Sequence, residues 1–205
     1  NSGLSFEQRV LKRLFDIVFS AAGLILSSPL MLIIAIAIKI DDGGNVFYKQ
    51  KRLTRDAREF YVYKFRSMVP DAEKDGIPIL ATDSDSRVTR VGSFLRKCRL
   101  DEVPQLINIL KGDMSVVGPR PERPELIKKY EKSMPEFNYR LKVKAGLTGY
   151  AQVTGVYDTT PYDKLKMDLM YIERYSMVMD LRIILMTIKT MIFPGETNEK
   201  SNKLK

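Results

Sequence analysis

The feature that most constrains this chain is an uncharged apolar stretch from Ile17 to Ile38. At roughly 22 residues it is long enough to span the hydrocarbon core of a bilayer as a helix. Ser28 and Pro29 lie near its middle, and a proline interrupts helical hydrogen bonding because it has no backbone N–H. If the helix breaks there, each half reaches only about 16 Å, or half the hydrocarbon thickness.

Basic residues flank this stretch on both sides. The cations nearest to its two ends are Arg9, Lys12, Arg13, Lys39, Lys49 and Lys51. Basic residues mark the cytoplasmic side of a membrane segment, so a re-entrant helix-break-helix would place both ends on that side. An ordinary spanning helix with a tolerated proline kink is the alternative. A signal peptide is excluded, because the apolar run is too long and no small-residue cleavage site follows it.

Composition narrows the chemistry that the chain could perform. The net charge of +9 indicates an anionic partner, such as nucleic acid, anionic lipid or a phosphorylated substrate. The chain has no histidine, which removes the commonest general base and most catalytic zinc sites. Its one cysteine, Cys98, excludes an internal disulfide. Any metal would therefore be held by oxygen ligands, which favours magnesium or manganese.

The remaining pattern predicts a mainly helical α+β fold. Alternating β-branched and aromatic residues over 46–53 and 59–65 predict a short β-hairpin. Helices are predicted over the ranges 91–97, 124–133, 136–143, 161–179 and 181–193, and from Asp101 onward. Three regions follow: a lead-in and membrane helix over 1–40, a globular domain over 41–193, and a polar tail over 194–205.

Adjacent acids, Asp101 and Glu102, are the first candidates for chemistry. Acidic residues at the start of a helix are commonly no more than caps. Here, however, Arg96 lies just upstream, and Arg120 is held between two prolines, as suits phosphate recognition. A carboxylate can attack phosphorus and form an acyl phosphate. The cluster therefore predicts a phosphate-handling site, with simple capping as the alternative.

A second acidic pair suggests a different reaction. Asp83 and Asp85 form the acid-x-acid pattern by which many metal-dependent glycosyltransferases hold their ion. A three-letter pattern occurs often by chance, and this one lies in a polar loop. A membrane-anchored nucleic-acid-binding module is a further alternative. It is disfavoured because the cations are spread along the chain and are not gathered with stacking aromatics on one face.

Several long phrases resemble one known family. KRLFDIV, YKFRSM, LRKCRLDEVPQLINILKGDMSVVGPRP, KAGLTGYAQVTG and MDLMYIERYSMVMDLRIILMTI resemble the bacterial sugar transferases, which are monotopic polyprenyl-phosphate phosphoglycosyl transferases. The resemblance covers about residues 10 to 193. It implies a membrane-embedded re-entrant helix-break-helix at Ser28 and Pro29, and a small cytoplasmic catalytic domain with a β-hairpin and interfacial amphipathic helices. It also implies the C-terminal catalytic domain of a long-form member, on the cytoplasmic face of the bacterial membrane.

The resemblance implies the substrates and the roles of the site residues. Asp101 would be the nucleophile and a magnesium ligand, and Glu102 its partner and a further metal candidate, with manganese as an alternative ion. The resemblance also carries over Lys64, Arg96, Arg120 and Asp180 as site candidates. The full set comprises four phosphate-binding cations and two supporting acids: Lys64, Arg66, Arg96, Arg120, Asp168 and Asp180. In isolation, Lys64 and Arg66 are also explained as solvated strand-edge charges, and Asp180 as a helix cap.

The reaction implied is the first membrane step of exopolysaccharide or capsule synthesis. The expected partners are a UDP-sugar, a polyprenyl phosphate such as undecaprenyl phosphate, and anionic membrane lipids. No nucleic acid is expected, and a homo-oligomer stays open. One departure concerns the donor: where many members read Gln-Val-Asn-Gly-Arg, this chain has Thr154 and Val156 in place of Asn and Arg. We therefore predict that the segment 154–160 helps to select the sugar, with a structural turn as the alternative.

Overall fold

The computed structural model describes residues 5–69, 72, 85–155 and 159–192. Its helices are α1 Phe6–Asp42, α2 Arg90–Lys97, α3 Gln105–Lys111, α4 Pro124–Glu131, α5 Tyr150–Thr154, α6 Pro161–Glu173 and α7 Met177–Ile192. Its strands are β1 Phe47–Leu53, β2 Glu59–Phe65, β3 Met114–Val117 and β4 Ala145–Thr148, and 3₁₀ turns cover Arg55–Ala57, Leu100–Glu102 and Pro135–Lys142. The mainly helical α+β class is confirmed.

Helix α1 runs without interruption through Pro29. Pro29 cannot donate to the Ile25 carbonyl four residues earlier, but the Ser28 hydroxyl donates to that carbonyl at 2.8 Å. Because this bond replaces the missing N–H, the backbone stays helical. Helical structure therefore continues through Ser28 and Pro29, where the sequence predicted a break, while the re-entrant course of the segment in a membrane stays a prediction.

Helix α1 leaves most of its apolar surface uncovered. Its most apolar 18-residue window has a mean hydropathy of 2.4 and is only 11% buried. Among the described residues it is the one helix long and apolar enough to cross a bilayer. The most exposed of its apolar side chains include Ile25, Leu26, Leu32, Ile33 and Ile40. Low burial separates α1 from the core helix of an ordinary globular domain.

Both halves of α1 nevertheless pack on the same globular domain. In the first half, Asp16 accepts hydrogen bonds from the Ser115 hydroxyl at 3.0 Å and the Val116 amide at 2.9 Å. In the second half, Ile34 and Ile38 are buried in a small cluster with Phe65 and Leu95 from β2 and α2. Both halves of α1 therefore contact the same face of the chain, the one formed by the globular domain.

Two small sheets organise the domain. Strands β1 and β2 form the predicted antiparallel hairpin, with Phe47 opposite Phe65 and Leu53 opposite Glu59. Strands β3 and β4 form a parallel pair that the sequence analysis missed. All four residues of β3 are buried, and they lie in the main core with Ile109, Tyr171 and Ile183. A fully buried strand of four residues has no alternation to reveal it.

The structure also corrects several element boundaries. The helix expected from Asp101 is a 3₁₀ turn followed by α3, and the segment 136–143 forms the 3₁₀ turn Pro135–Lys142. The glycine-punctuated segment from Gly146 to Gly155, which the sequence predicts to be irregular or extended, contains most of the extended strand β4 and the short helix α5. The break between the two closing helices falls at 174–176, earlier than predicted.

Candidate active site

A charged cleft of about 430 Å³ is lined by residues brought together from β2, α2, the following 3₁₀ turn and the loop after β3. The cations and acids that converge there include Lys64, Arg96, Arg99, Asp101, Glu102 and Arg120. Five of these six were predicted as site residues from the sequence. The structure thus gathers side chains that are up to 56 positions apart, from 64 to 120, into one cavity.

An unusual backbone turn presents the two acids. Arg99 has φ 55°, a left-handed conformation that costs a non-glycine residue roughly 1–2 kcal/mol. This residue follows the C-cap of α2 and is the N-cap of the 3₁₀ turn Leu100–Glu102, and its carbonyl accepts a hydrogen bond from the Glu102 amide at 3.3 Å. The tight turn places Asp101 and Glu102 side by side in the cleft. Strained backbone of this kind is often found at functional sites.

Two cations hold Glu102. Its Oε1 atom accepts a hydrogen bond from Lys64 Nζ at 2.8 Å and from Arg120 Nη2 at 2.7 Å. Burial opposes its ionisation, but the charges of Arg120 and Lys64 prevail and hold the pKa of Glu102 well below its usual range. The pKa of Lys64 is lowered, chiefly by burial, against the attraction of Glu102. Glu102 is therefore a fixed anion that orients both cations.

Asp101 is held differently from its neighbour. Within the described residues its side chain accepts no hydrogen bond, and Lys64 Nζ lies 3.9 Å from Oδ2. Burial raises the pKa of Asp101, and Lys64 partly opposes this effect. Its side chain is 13% exposed. A carboxylate that accepts no hydrogen bond, is partly desolvated and is surrounded by cations is suited to attack an anionic electrophile, because the cations offset the charge repulsion.

A second layer of charge supports Arg120. The Arg120 carbonyl accepts a hydrogen bond from Arg140 Nη2 at 3.0 Å, and Asp168 Oδ2 in turn accepts from Arg140 Nη2 at 2.7 Å. Arg140 and Asp168 are both buried. The Arg120 guanidinium itself stays 45% exposed, so it is available to a ligand. Asp168, predicted as a supporting residue, thus acts through Arg140, which the sequence analysis missed.

Two residues predicted at the site lie outside the cleft. Arg66 is buried and pairs with Asp42 at the end of α1, so it ties α1 to β2. Asp180 accepts hydrogen bonds from Lys12 Nζ at 2.6 Å and from the Tyr171 hydroxyl at 2.8 Å. Arg66, predicted as a phosphate ligand, and Asp180, predicted as a supporting residue, thus both join α1 to the domain.

The alternative acidic pair is only partly visible. Asp83 lies outside the described residues. Asp85 forms a two-pronged salt bridge with Arg87, whose Nε and Nη2 atoms lie 2.8 Å and 2.6 Å from its oxygens. Hydrogen bonds from Arg87 lower the pKa of Asp85 to about 2. Because its oxygens are engaged by a cation, Asp85 is poorly suited to bind a metal ion.

The carboxylates of the cleft determine how a magnesium ion could bind there. No cluster of three or more acidic or sulfur ligands occurs in the part of the chain that the structure describes. Glu102 accepts hydrogen bonds from two cations, whereas Asp101 accepts none among the described residues, so Asp101 is the acid better placed to bind an ion. Magnesium typically binds through one or two carboxylates together with substrate phosphates and water. The cleft therefore fits a magnesium ion that Asp101 would share with a diphosphate, and it does not form a closed protein cage.

The segment predicted to select the sugar borders the cleft. Gln152, Gly155 and Thr159 line it, while residues 156–158 lie outside the described part of the chain. The Thr154 hydroxyl, however, donates to the Tyr150 carbonyl at 2.7 Å and packs between α5 and α6. Of the two positions that depart from the common pattern, Thr154 is therefore structural.

Comparison with known proteins gives a consistent result. A family profile described as bacterial sugar transferase matches residues 7–194. A UDP-N-acetylgalactosamine-undecaprenyl-phosphate N-acetylgalactosaminephosphotransferase of Aeromonas hydrophila is 41% identical over 185 residues, which cover 89% of this chain and 44% of that protein. A UDP-glucose:undecaprenyl-phosphate glucose-1-phosphate transferase of Xanthomonas campestris pv. campestris is 43% identical over 183 residues, covering 87% and 38%.

A shorter relative shows a different coverage. The exopolysaccharide production protein PSS of Rhizobium leguminosarum bv. phaseoli is 38% identical over 196 residues, which cover 91% of this chain and 98% of that protein. The chain thus spans less than half of the first two relatives and nearly all of the third.

Proposed function

Because this chain belongs to the bacterial sugar transferase family, we propose that it transfers a phosphosugar from a UDP-sugar to a polyprenyl phosphate such as undecaprenyl phosphate. The names of the Aeromonas and Xanthomonas relatives describe transfers of this kind. The observation that carries the proposal is the arrangement of the acids. Asp101 accepts no hydrogen bond among the described residues of a cationic cleft, and its neighbour Glu102 is fixed by Lys64 and Arg120.

The first step is attack by Asp101. A carboxylate oxygen forms a bond to the phosphorus that carries the sugar, and the bond from that phosphorus to the oxygen of UMP breaks. The electron pair of the broken bond leaves with UMP. The products are an acyl phosphate, in which the phosphosugar is linked to Asp101, and free UMP.

The second step regenerates the enzyme. An oxygen of polyprenyl phosphate attacks the same phosphorus, and the bond to the Asp101 oxygen breaks. The product is a polyprenyl diphosphosugar, and Asp101 returns to its carboxylate form. Both steps use in-line displacement at phosphorus, so positioning and charge stabilisation supply most of the catalysis.

Cations of the cleft would stabilise the transferring phosphate. The partly exposed Arg120 guanidinium can donate two parallel hydrogen bonds to phosphate oxygens, and Arg96 faces the same cavity. Glu102 keeps Lys64 and Arg120 in place before the substrate arrives. A magnesium ion held by Asp101 and the donor diphosphate would neutralise charge on the phosphates.

The packing of α1 supports catalysis at the cytoplasmic membrane face. Its apolar side chains are exposed, yet both halves contact the domain that bears the cleft. We propose that both ends of α1 face the cytoplasm, so that the cleft lies near the headgroups, where a polyprenyl phosphate presents its own phosphate. The exposed apolar face of α7, which includes Val178, Leu185 and Ile192, is suited to the same interface.

The released nucleotide and the covalent adduct test this function. Purified protein mixed with a UDP-sugar and magnesium should release UMP and gain the mass of one phosphosugar. Asp101→Asn should lose both signals, whereas Asp85→Asn should keep them. Release of UDP, or an adduct that persists in Asp101→Asn, would refute the proposal. UDP release that requires Asp85 would instead support a metal-dependent glycosyltransferase.

A further inference from the structure

A second charged cavity lies outside the cleft. It has a volume of about 160 Å³ and lies between the start of α1, the turn after β1 and the residues that precede β4. One carboxylate, Asp16, lines it, together with six cations: Arg9, Lys12, Arg13, Arg55, Lys142 and Lys144. Neither the nucleophile nor the phosphate-binding cations of the proposed reaction line this cavity, so its charge calls for a separate explanation.

The acid and two of the cations already have partners. Asp16 accepts from Ser115 and Val116, and Lys12 forms a salt bridge with Asp180. Arg13 donates to the carbonyls of Ile109 and Leu110 in the last turn of α3, at 2.7 Å and 2.8 Å. Among the described residues, no carboxylate pairs with Arg13. Its carbonyl partners accept hydrogen bonds but supply no negative charge that would compensate the guanidinium.

The other cations are left with little compensation. Among the described residues, no carboxylate lies within ion-pairing distance of Arg9, Lys142 or Lys144, and Arg55 pairs only with the exposed Asp56. Burial lowers the pKa of Lys144, as do the nearby charges of Arg13 and Arg55, while the Asp16 carboxylate partly opposes these effects. Like charges held together in a cavity repel, and a bound anion would relieve that repulsion.

Two of the cations converge on one point. A β-carbon built on Gly112 would lie 3.4 Å from Arg13 Nη2 and 3.6 Å from Lys144 Nζ. Gly112 is the C-cap of α3, and its φ of 92° lies in the left-handed region that favours glycine, so this position carries no side chain. The space above Gly112 is therefore bordered by two positively charged groups from two different elements.

Exposed apolar side chains lie on the same turns of α1 as the cavity. Arg9 and Arg13 form one row of the helix, and Val10 and Leu14, about a quarter turn around the helix from that row, are 44% and 56% exposed. A cationic pocket beside an exposed apolar stripe matches the two parts of an anionic phospholipid, a phosphate headgroup and acyl chains. A free phosphate ester shares the headgroup chemistry but would gain nothing from the stripe.

We propose that this cavity binds the phosphate of an anionic phospholipid, whose acyl chains lie along the exposed apolar side of the first turns of α1. The bound lipid would fix the start of α1 at the depth of the headgroups. This site is separate from the cleft, and binding to it does not require the proposed transfer reaction.

The test uses short-chain lipids below their micellar concentration. The protein in uncharged detergent is titrated calorimetrically with dihexanoyl phosphatidylglycerol, dihexanoyl phosphatidylcholine or inorganic phosphate. The double variant Arg9→Gln/Lys144→Gln should bind the phosphatidylglycerol roughly 30-fold more weakly, since each cation near an anionic headgroup contributes about fivefold in affinity. Lys129→Gln/Lys132→Gln, which removes the same charge from the exposed surface around the end of α4, should bind like the wild type.

Each outcome bears on the proposal. Selective binding of phosphatidylglycerol that is lost in the Arg9/Lys144 double variant supports it. Equal binding of both lipids, or equal binding by both double variants, overturns it. Inorganic phosphate bound as tightly as phosphatidylglycerol would assign the cavity to soluble phosphate esters and overturn the lipid assignment. If the double variant loses its far-UV circular dichroism, the exposed Arg9→Gln alone serves, with an expected loss of about fivefold.

Discussion

The salt bridge between Lys12 and Asp180 should carry much of the attachment of α1 to the domain. These residues lie 168 positions apart, and their charged atoms are 2.6 Å apart. Lys12 also donates to the Val117 carbonyl and the Tyr171 hydroxyl, at 3.1 Å and 3.3 Å. We consider Lys12→Met, Asp180→Asn and the double variant. Each single change leaves one buried group without its counter-charge.

Burial sets the expected size of the effect. The side chains of Lys12 and Asp180 are 13% and 1% exposed. Removing one partner of a buried pair typically costs about 3–5 kcal/mol of unfolding free energy. For a chain of this size each kcal/mol lowers the Tm by about 2–4 °C, so each single variant should melt roughly 6–20 °C lower. The double variant should lose much less than the sum, because it strands neither charge.

An exposed pair of the same type provides the control. Lys51 and Glu59 lie 2.9 Å apart, but their side chains are 46% and 54% exposed. Such pairs contribute at most about 1 kcal/mol, so Lys51→Met and Glu59→Gln should each lower the Tm by less than about 4 °C. Thermal unfolding in detergent, followed by circular dichroism, measures all variants. Additive losses at Lys12 and Asp180, or losses no larger than those of the control pair, would refute the reasoning.

Two further predictions concern the membrane and the metal. In a Cys98→Ser background, Ser5→Cys and Asn45→Cys should both resist a membrane-impermeant thiol reagent added outside intact cells, because both ends of α1 lie on the side of the domain; labelling of only one would instead establish a spanning helix. Chelation of divalent cations by EDTA should stop UMP release, and added Mg²⁺ should restore it. The described residues form no cluster of three acidic ligands, so an ion held mainly by Asp101 and the donor is bound weakly enough for EDTA to remove it. Unchanged release in EDTA would remove magnesium from the proposal.

Local sequence patterns predicted the parts of the fold that local forces determine. The hairpin β1–β2 follows from alternating residues, and the short helix predicted over 91–97 is found at Arg90–Lys97. The unbroken course of α1 was missed because Pro29 alone predicts a break. Its effect is offset by the Ser28 hydroxyl, a contact that depends on the rotamer of one side chain.

Much of the cleft was also predicted. Adjacent acids and nearby arginines indicated a phosphate site at Asp101, Glu102 and Arg120, and the resemblance to a family added their roles, but the support of Arg120 was left unseen. Arg140 lies in a 3₁₀ segment with no motif of its own, and only its contact with the distant Asp168 reveals its role. Contacts between residues far apart in sequence leave no spacing to detect.

Asp101 and Asp180 show why local sequence does not determine the role of an acid. Both lie near the start of a helical segment, where a carboxylate is favoured by the helix dipole, and both were carried over as site candidates. Tertiary structure separates them. Asp180 pairs with Lys12 and accepts a hydrogen bond from Tyr171 in the core, so its charge stabilises the attachment of α1. Beside Asp101, the neighbouring Glu102 takes the hydrogen bonds of both Lys64 and Arg120. Asp101 is thereby left without a hydrogen bond among the described residues, which supports the proposal that it is the acid that reacts.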